Sequence, residues 1–188
     1  EVRQELASRH SSSNFDWRQV LTRQVGQIAR GKEPSHARFN RRQPLRMDLP
    51  GQVTHLTADL KIFVDNSGSM TDTEIGQALT EIMQLVRRYR VKATAYSFDA
   101  KVYSPGQPLR PGRPVNWVRH GGGGTSFQAI FDFLADHHVS RTGTLVVIIT
   151  DGWGEKQLRD HRYRNVDWLL TTTGDQLSVT GRHGQVFE

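Results

Sequence analysis

The 188-residue sequence contains no cysteine, which excludes disulfide bonds and thiolate metal sites. Its longest apolar run, Leu145–Ile149, is far shorter than the roughly 18 residues of a membrane-spanning helix, so we expect no contact with a membrane. Neither a Gly-Lys-Ser/Thr nor a His-Glu-x-x-His motif occurs, which argues against a nucleotide site and a zinc-peptidase site. Eight histidines are present, but the adjacent pair His137 and His138 would point about 100° apart on a helix, so we expect no zinc site.

Acidic residues are scarce in the N-terminal quarter of the chain. Residues 1–46 contain 10 Lys/Arg and 4 Asp/Glu, whereas residues 47–188 contain 15 of each. The whole formal charge of +6 therefore belongs to the N-terminal segment. We interpret this asymmetry as a solvated flank, with contact to nucleic acid or an acidic partner as the alternative.

The N-terminal segment contains one amphipathic pattern. Apolar residues recur at helical spacing between Asp16 and Gly31, which predicts a helix capped by Asn14 or Asp16. Residues 32–50 show no period and contain three prolines, and we interpret them as an extended connector. We therefore predict a basic helix and connector, 1–50, packed on a domain at 51–188.

The remainder alternates between strand and helix patterns. A continuous apolar strand such as Thr144–Thr150 is typical of one buried on both faces. The pattern predicts an α/β fold with a doubly wound, Rossmann-like, mainly parallel sheet flanked by helices, in which ligands bind beyond the carboxyl ends of the strands. The predicted strands are Leu60–Val64, Val91–Phe98, Lys101–Tyr103, Thr144–Thr150, Val166–Leu170 and Gln185–Phe187, and the predicted helices are Asp72–Arg90 and one over 127–134.

Three polar clusters stand where predicted strands end or a helix begins. Asp65, Ser67 and Ser69 follow the first strand, Thr125 follows a run of four glycines, and Asp151 follows Thr144–Thr150. Gly68 permits the chain to turn, so that the alternate side chains before and after it face one centre. Two carboxylates and three hydroxyls are hard oxygen donors that suit Mg²⁺ or Mn²⁺.

These motifs, Asp-x-Ser-x-Ser, Gly-Gly-Thr and Thr-Asp-Gly, resemble the metal-ion-dependent adhesion site (MIDAS) of von Willebrand factor A (VWA) domains. The resemblance covers about residues 58–188. It implies that Ser67, Ser69 and Thr125 bind the ion directly, and that Asp65 and Asp151 bind it directly or through water. It also implies a protein-binding module in which an Asp or Glu of a partner completes the coordination of the metal.

The basic helix and the Arg-rich connector ending in Leu49-Pro50-Gly51 resemble a bacterial subgroup of these domains. That subgroup implies a link to a metallopeptidase-like region, which would lie outside these residues, and to MoxR-type AAA+ ATPases. A bacterial or phage complex in the cytoplasm is the expected setting.

Residues beside the predicted ligands are candidates for a partner-binding rim: Asn66, Met70, Ser126 and Trp153. We interpret Asp99 as a turn residue, with an outer carboxylate near the ion as the alternative. Two other functions stay open. A metal-assisted hydrolase would need Asp99 or His120 as its base. Nucleic-acid binding through the basic arm would weaken steeply with salt and ignore chelation.

Overall fold

Helices and strands alternate along most of the chain. In a computed structural model of the protein, the described residues are 17–27, 32–39, 50–54, 59–89, 91–113, 115, 117–171, 177–180 and 184–187. No helix within these ranges is both long and apolar enough to cross a membrane. The elements are α1 (Trp17–Gln27), β1 (Lys32–Phe39), β2 (Pro50–Thr54), β3 (Asp59–Asp65), α2 (Asp72–Tyr89), β4 (Lys92–Phe98), β5 (Gln107–Leu109), α3 (Gln128–Asp136), β6 (Thr144–Thr150), β7 (Val166–Leu170) and β8 (Gln185–Phe187).

Six strands form the main sheet in the order β5-β4-β3-β6-β7-β8. Every neighbouring pair is parallel except β4 and β5. All seven residues of β6 are buried, as expected for a strand in a parallel sheet that is covered on both faces. The prediction of a mainly parallel α/β sheet is confirmed.

Helices cover the two faces of the sheet. Their apolar residues recur at helical spacing, so that each helix buries one stripe against the strands. Helix α2 begins at a capping box, in which the Thr71 amide donates to Glu74 at 2.9 Å and the Glu74 amide donates to Thr71 Oγ1 at 3.3 Å. On one face α1 and α2 contribute Leu21, Val25, Ile75, Leu79, Ile82 and Val86, and on the other α3 contributes Ile130, Phe131 and Leu134.

The predicted strand at Lys101–Tyr103 is wrong. A single bridge joins Phe98 and Val102, and the edge strand is β5, whose Leu109 pairs with Ala93. Strand β5 contains Pro108, and no strand was predicted at these residues. Proline is tolerated at a sheet edge because the lost N–H donor faces no further strand.

The N-terminal segment agrees with the predicted helix, and Leu21 and Val25 of α1 pack in the same cluster as α2. The caps at Asn14 and Asp16, and Gly31, lie outside the described residues. Strand β1 lies within the predicted connector and pairs antiparallel with β2, which begins at the end of the connector. This pairing was not predicted because neither segment alternates between apolar and polar residues. The boundary at residue 50 stays a prediction.

Asp167 is an acidic residue in the core. It lies in β7 with 1% of its surface exposed, and neither carboxylate oxygen has a hydrogen-bond partner among the described residues. Its neighbours Val166 and Trp168 face α3, so its side chain points to the face covered by α1 and α2. Burial raises the pKa of Asp167 to about 7, with the nearby side chain of Gln24 in α1 acting in the opposite direction.

The substitution Asp167→Asn should stabilise the fold in a pH-dependent way. Because the pKa of Asp167 is raised from 3.8 to about 7, its contribution to stability is fully present below pH 3.8 and is lost as the pH rises through about 7. The uncharged amide does not titrate, so the variant should gain on the order of a few kcal/mol over the parent at about pH 8 and much less at about pH 4. Urea unfolding of both proteins at the two pH values measures this. An equal difference at both values would contradict the prediction.

Candidate metal centre

The candidate site lies beyond the carboxyl ends of β3 and β6. These strands are parallel neighbours, and the chain leaves them in opposite directions, with β4 beside β3 and β7 beside β6. Such a switch point opens a crevice at the end of a doubly wound sheet. Asp65 ends β3, Thr150 ends β6, and Asp151 follows directly. The topology therefore brings together two motifs that are 85 residues apart.

Asp65 is fully buried at the centre of this crevice. Its Oδ1 accepts a hydrogen bond from the Ser67 amide at 2.9 Å, and its Oδ2 accepts one from the Thr150 hydroxyl at 2.7 Å. Burial raises the pKa of Asp65, the charge of Asp151 raises it further, and the bonds from Ser67 and Thr150 offset only part of the rise. The Thr150 hydroxyl is a partner that the sequence analysis missed, although it belongs to the Thr-Asp-Gly motif.

The two predicted serine ligands lie side by side. Ser67 Oγ and Ser69 Oγ are 3.0 Å apart, so the turn at Gly68 does direct both side chains to one point. Ser67 is 5% exposed, whereas Ser69 is open to solvent. The main chain here is joined to the next strand because the Asn66 amide donates to the Phe98 carbonyl at 2.9 Å.

The other two predicted ligands come from the far side of the crevice. The Thr125 hydroxyl lies 3.3 and 3.4 Å from the two oxygens of Asp65. Asp151 is 7% exposed, and its Oδ1 accepts a hydrogen bond from the Trp153 amide at 3.1 Å. The structure thus gathers all five predicted residues, Asp65, Ser67, Ser69, Thr125 and Asp151, at one end of the sheet.

Asp99 follows β4, and its hydrogen bonds hold the glycine run that leads to Thr125. Its carboxylate accepts hydrogen bonds from the Lys101 amide at 3.2 Å and the Tyr103 hydroxyl at 3.1 Å, and its main-chain oxygen accepts one from the Ser126 amide at 2.8 Å. Burial alone would raise the pKa of Asp99, but the bonds from Lys101 and Tyr103 to its carboxylate, with two more from the amides of Gly122 and Gly123, lower it. The predicted turn at Asp99 is confirmed, and its role in holding the Thr125 loop was missed.

Glu155 holds the same loop from the other side. Its Oε1 accepts a hydrogen bond from the Ser126 hydroxyl at 2.6 Å, and its Oε2 accepts one from the Phe127 amide at 2.7 Å. The carboxylate therefore satisfies a free amide at the start of α3, where negative charge is favourable. No local pattern in the sequence marks Glu155, since its partners lie 28 and 29 residues away.

The family of the chain follows from a comparison with known proteins. The family model of the VWA-like domain (DUF2201) matches residues 60–180, which is more than half of the 188 residues. The chain belongs to this VWA-like family. The match covers all five candidate ligands, and it confirms the resemblance to VWA domains.

Two solved structures are similar to this VWA-like domain. The ArnB paralog VWA2 from Sulfolobus acidocaldarius is 18% identical with a TM-score of 0.45, and the match covers 60% of this chain and 34% of that one. An aerotolerance-related membrane protein from Bacteroides fragilis is 15% identical with a TM-score of 0.37, covering 60% of this chain and 67% of that one. The chain thus spans about a third of the length of the first. A comparison with curated protein sequences gave no match.

The predicted rim residues of the VWA-like domain differ in exposure. Trp153 is 68% exposed, whereas Met70 is 2% exposed and packs in the core beside α2. Asn66 is also buried, and its Nδ2 donates to the His120 carbonyl at 3.1 Å. Ser126 is bonded to Glu155 as described above. Of the four, Trp153 alone presents a large surface to a partner.

The donor set of the VWA-like domain fits a hard divalent ion. No three His, Asp or Glu side chains gather into a metal site anywhere in the described ranges, and the centre instead combines two carboxylates with three hydroxyls. Oxygen donors of this kind suit Mg²⁺ or Mn²⁺. The carboxylates of Asp65 and Asp151 repel each other, and a divalent ion between them would balance both charges.

Gly121 and Gly124 in the glycine run of the VWA-like domain differ in how much space surrounds them. Gly121 has a φ of +99°, and a Cβ at this position would collide with the Asp99 carboxylate. At Gly124 an added Cβ would meet no atom of the described residues. Gly121→Ala should therefore lower the free energy of unfolding by about 1–3 kcal/mol, and Gly124→Ala by no more than about 0.5 kcal/mol. Urea unfolding compares them, and equal losses would refute a special role for Gly121.

Proposed function

We propose that this VWA-like domain is a divalent-metal-dependent protein-binding module. Mg²⁺ or Mn²⁺ would be held at the ends of β3 and β6, and an Asp or Glu of a partner protein would complete its coordination. The observation that supports this most strongly is the convergence of four oxygen-bearing side chains, those of Ser67, Ser69, Thr125 and Asp151, around the buried carboxylate of Asp65. When bound, the ion supplies a positive charge that attracts the partner's carboxylate.

Each residue of the centre has a distinct part in the proposal. The hydroxyls of Ser67, Ser69 and Thr125 would bind the ion directly, as the resemblance implies. Asp65 and Asp151 would bind it directly or through water. Thr150 donates to Asp65 Oδ2 at 2.7 Å and so fixes the orientation of that carboxylate, much as outer hydrogen bonds orient metal ligands in general.

The alternative of a metal-assisted hydrolase finds less support. Its candidate bases were Asp99 and His120. The carboxylate of Asp99 is already bonded to the Lys101 amide and the Tyr103 hydroxyl, and its pKa is lowered. A general base is most effective when its pKa lies near the working pH, so Asp99 is a poor one. The exposed ring of His120 stacks on Tyr103, with the ring centroids 5.8 Å apart.

The partner in this proposal is a protein of an ATPase-linked assembly. The resemblance of the N-terminal helix and connector to the MoxR-associated subgroup is its basis, and it makes a MoxR-type AAA+ ATPase the first protein to test. Binding to that partner should require Mg²⁺ or Mn²⁺ and should be lost on chelation.

The metal centre itself is tested by titrating Mg²⁺ and Mn²⁺ into the chelated protein by calorimetry. One site is expected in the parent, and Ser67→Ala or Asp65→Asn should weaken binding by about tenfold or more. Thr142→Ala removes an exposed hydroxyl next to the start of β6, at the opposite end of the sheet, and should leave binding unchanged. The melting temperature should rise on addition of metal, both in the parent and in this control, because a ligand that binds the folded state stabilises it.

Binding that survives in both Ser67→Ala and Asp65→Asn would place the ion elsewhere. The absence of both heat and a change in melting temperature in the parent would count against the metal centre. Partner binding that persists in EDTA would refute the proposed metal bridge, whatever the titration shows.

A further inference from the structure

A groove of about 850 Å³ runs along α2, between this helix and residues 113, 115 and 117–119. Helix α2 begins at Asp72, three residues after the Ser69 side chain of the metal centre. The groove therefore starts beside the proposed metal and extends along the helix, as its lining residues from Asp72 to Met83 indicate.

Arg119 connects the end of the groove at Asp72 to the proposed metal centre. One guanidinium nitrogen bonds to Asp72 Oδ1 at 2.9 Å, and another donates to the Ser67 carbonyl at 2.9 Å. The wall of the groove and the loop that holds the predicted ligand Ser67 are thus one connected surface. A segment bound at the metal could continue into the groove without crossing a gap.

The floor of the groove is apolar. Ile75 and Leu79 are buried in it, with Met83 and Trp117 partly buried beside them. Val118 on the wall is 60% exposed, and it is one of only three large hydrophobic residues that are exposed in the described part of the chain. An exposed apolar side chain beside an apolar floor is typical of a surface that binds a partner.

Gly76 opens the middle of the groove. It lies in the interior of α2, where glycine is less favourable than alanine. An added Cβ at this position would meet no atom of the described residues within 4 Å, so the packing of those residues does not require glycine there. Close approach of another backbone to the helix is one reason for a glycine at such a position.

Charge decides the kind of segment that would bind. Among the described residues that line the groove, the charged ones are Arg113, Arg119 and Asp72. Because Asp72 is already paired with Arg119, the lining has a surplus of positive charge. An acidic and apolar segment complements it better than a basic one.

We propose that this groove binds the partner segment that flanks the metal-binding carboxylate. The segment would place one Asp or Glu on the ion and an apolar side chain over Gly76, between Leu79 and Val118. This inference rests on the proposed metal-bridged function and adds to it a second recognition site.

The test uses a displayed library of random peptides built around one fixed aspartate. The library is selected on the intact chain in Mg²⁺ and released by chelation, and an enriched peptide is then synthesised. Enriched peptides should share an apolar residue at a constant distance from the aspartate. Gly76→Leu fills the groove and should weaken peptide binding by about tenfold or more, the loss expected when one apolar side chain is no longer buried.

The matched control is Gln77→Leu, an exposed neighbour on α2 that does not line the groove. It should bind the peptide like the parent. Both variants should bind Mg²⁺ like the parent and should be at least as stable to urea, because leucine is more favourable than glycine inside a helix. If Gly76→Leu binds the peptide as tightly as the parent does, the groove is not the binding site, and the proposed metal bridge is unaffected. A selection that enriches no peptide, or none with a shared apolar residue, would overturn it too. If the parent itself does not bind Mg²⁺, it is the proposed function that is overturned.

Discussion

The buried carboxylate of Asp65 is the group on which the arrangement of the site depends. Its oxygens are hydrogen-bonded to the Ser67 amide and the Thr150 hydroxyl and lie near the Thr125 hydroxyl, so three separate segments are fixed relative to one point. A carboxylate without solvent is costly unless its charge is compensated. The hydrogen bonds compensate only part of it, since the pKa of Asp65 remains raised. The fold thus builds a position that a cation would stabilise.

Four carboxylates lie at this end of the sheet, and the surroundings of their oxygens separate two roles. Hydrogen bonds to main-chain amides and hydroxyls lower the pKa of Asp99 and Glu155 despite their burial. These two groups already have their donors, and they hold the Thr125 loop from opposite sides. Asp65 instead lies close enough to Asp151 for the charge of Asp151 to raise the pKa of Asp65. Asp99 and Glu155 are satisfied by the chain itself, whereas the two proposed ligands would be stabilised by a cation.

Local patterns predicted the parts of the site that lie at the ends of regular elements. Asp65 and Asp151 directly follow apolar strands, and Thr125 stands where glycines meet a helix, so each was visible in a few consecutive residues. Contacts between distant residues were not visible: Arg119 reaches the Ser67 carbonyl across 52 positions, and Glu155 reaches Ser126 across 29. Strand β5 was missed for a different reason, because its proline is acceptable only at a sheet edge, and the sequence alone does not reveal which strand is the edge.

A metal bridge alone would be a poor basis for choosing a partner. Any exposed Asp or Glu could complete the coordination of the ion, so the bridge supplies affinity and little discrimination. With such a bridge, discrimination would have to come from the surface beside the proposed metal centre. Two exposed apolar side chains, Val118 and Trp153, stand in segments that touch the centre, and apolar anchors near a polar contact are where binding energy tends to concentrate. Val118 borders a groove whereas Trp153 projects from a loop, so a partner that contacts both must approach in one orientation.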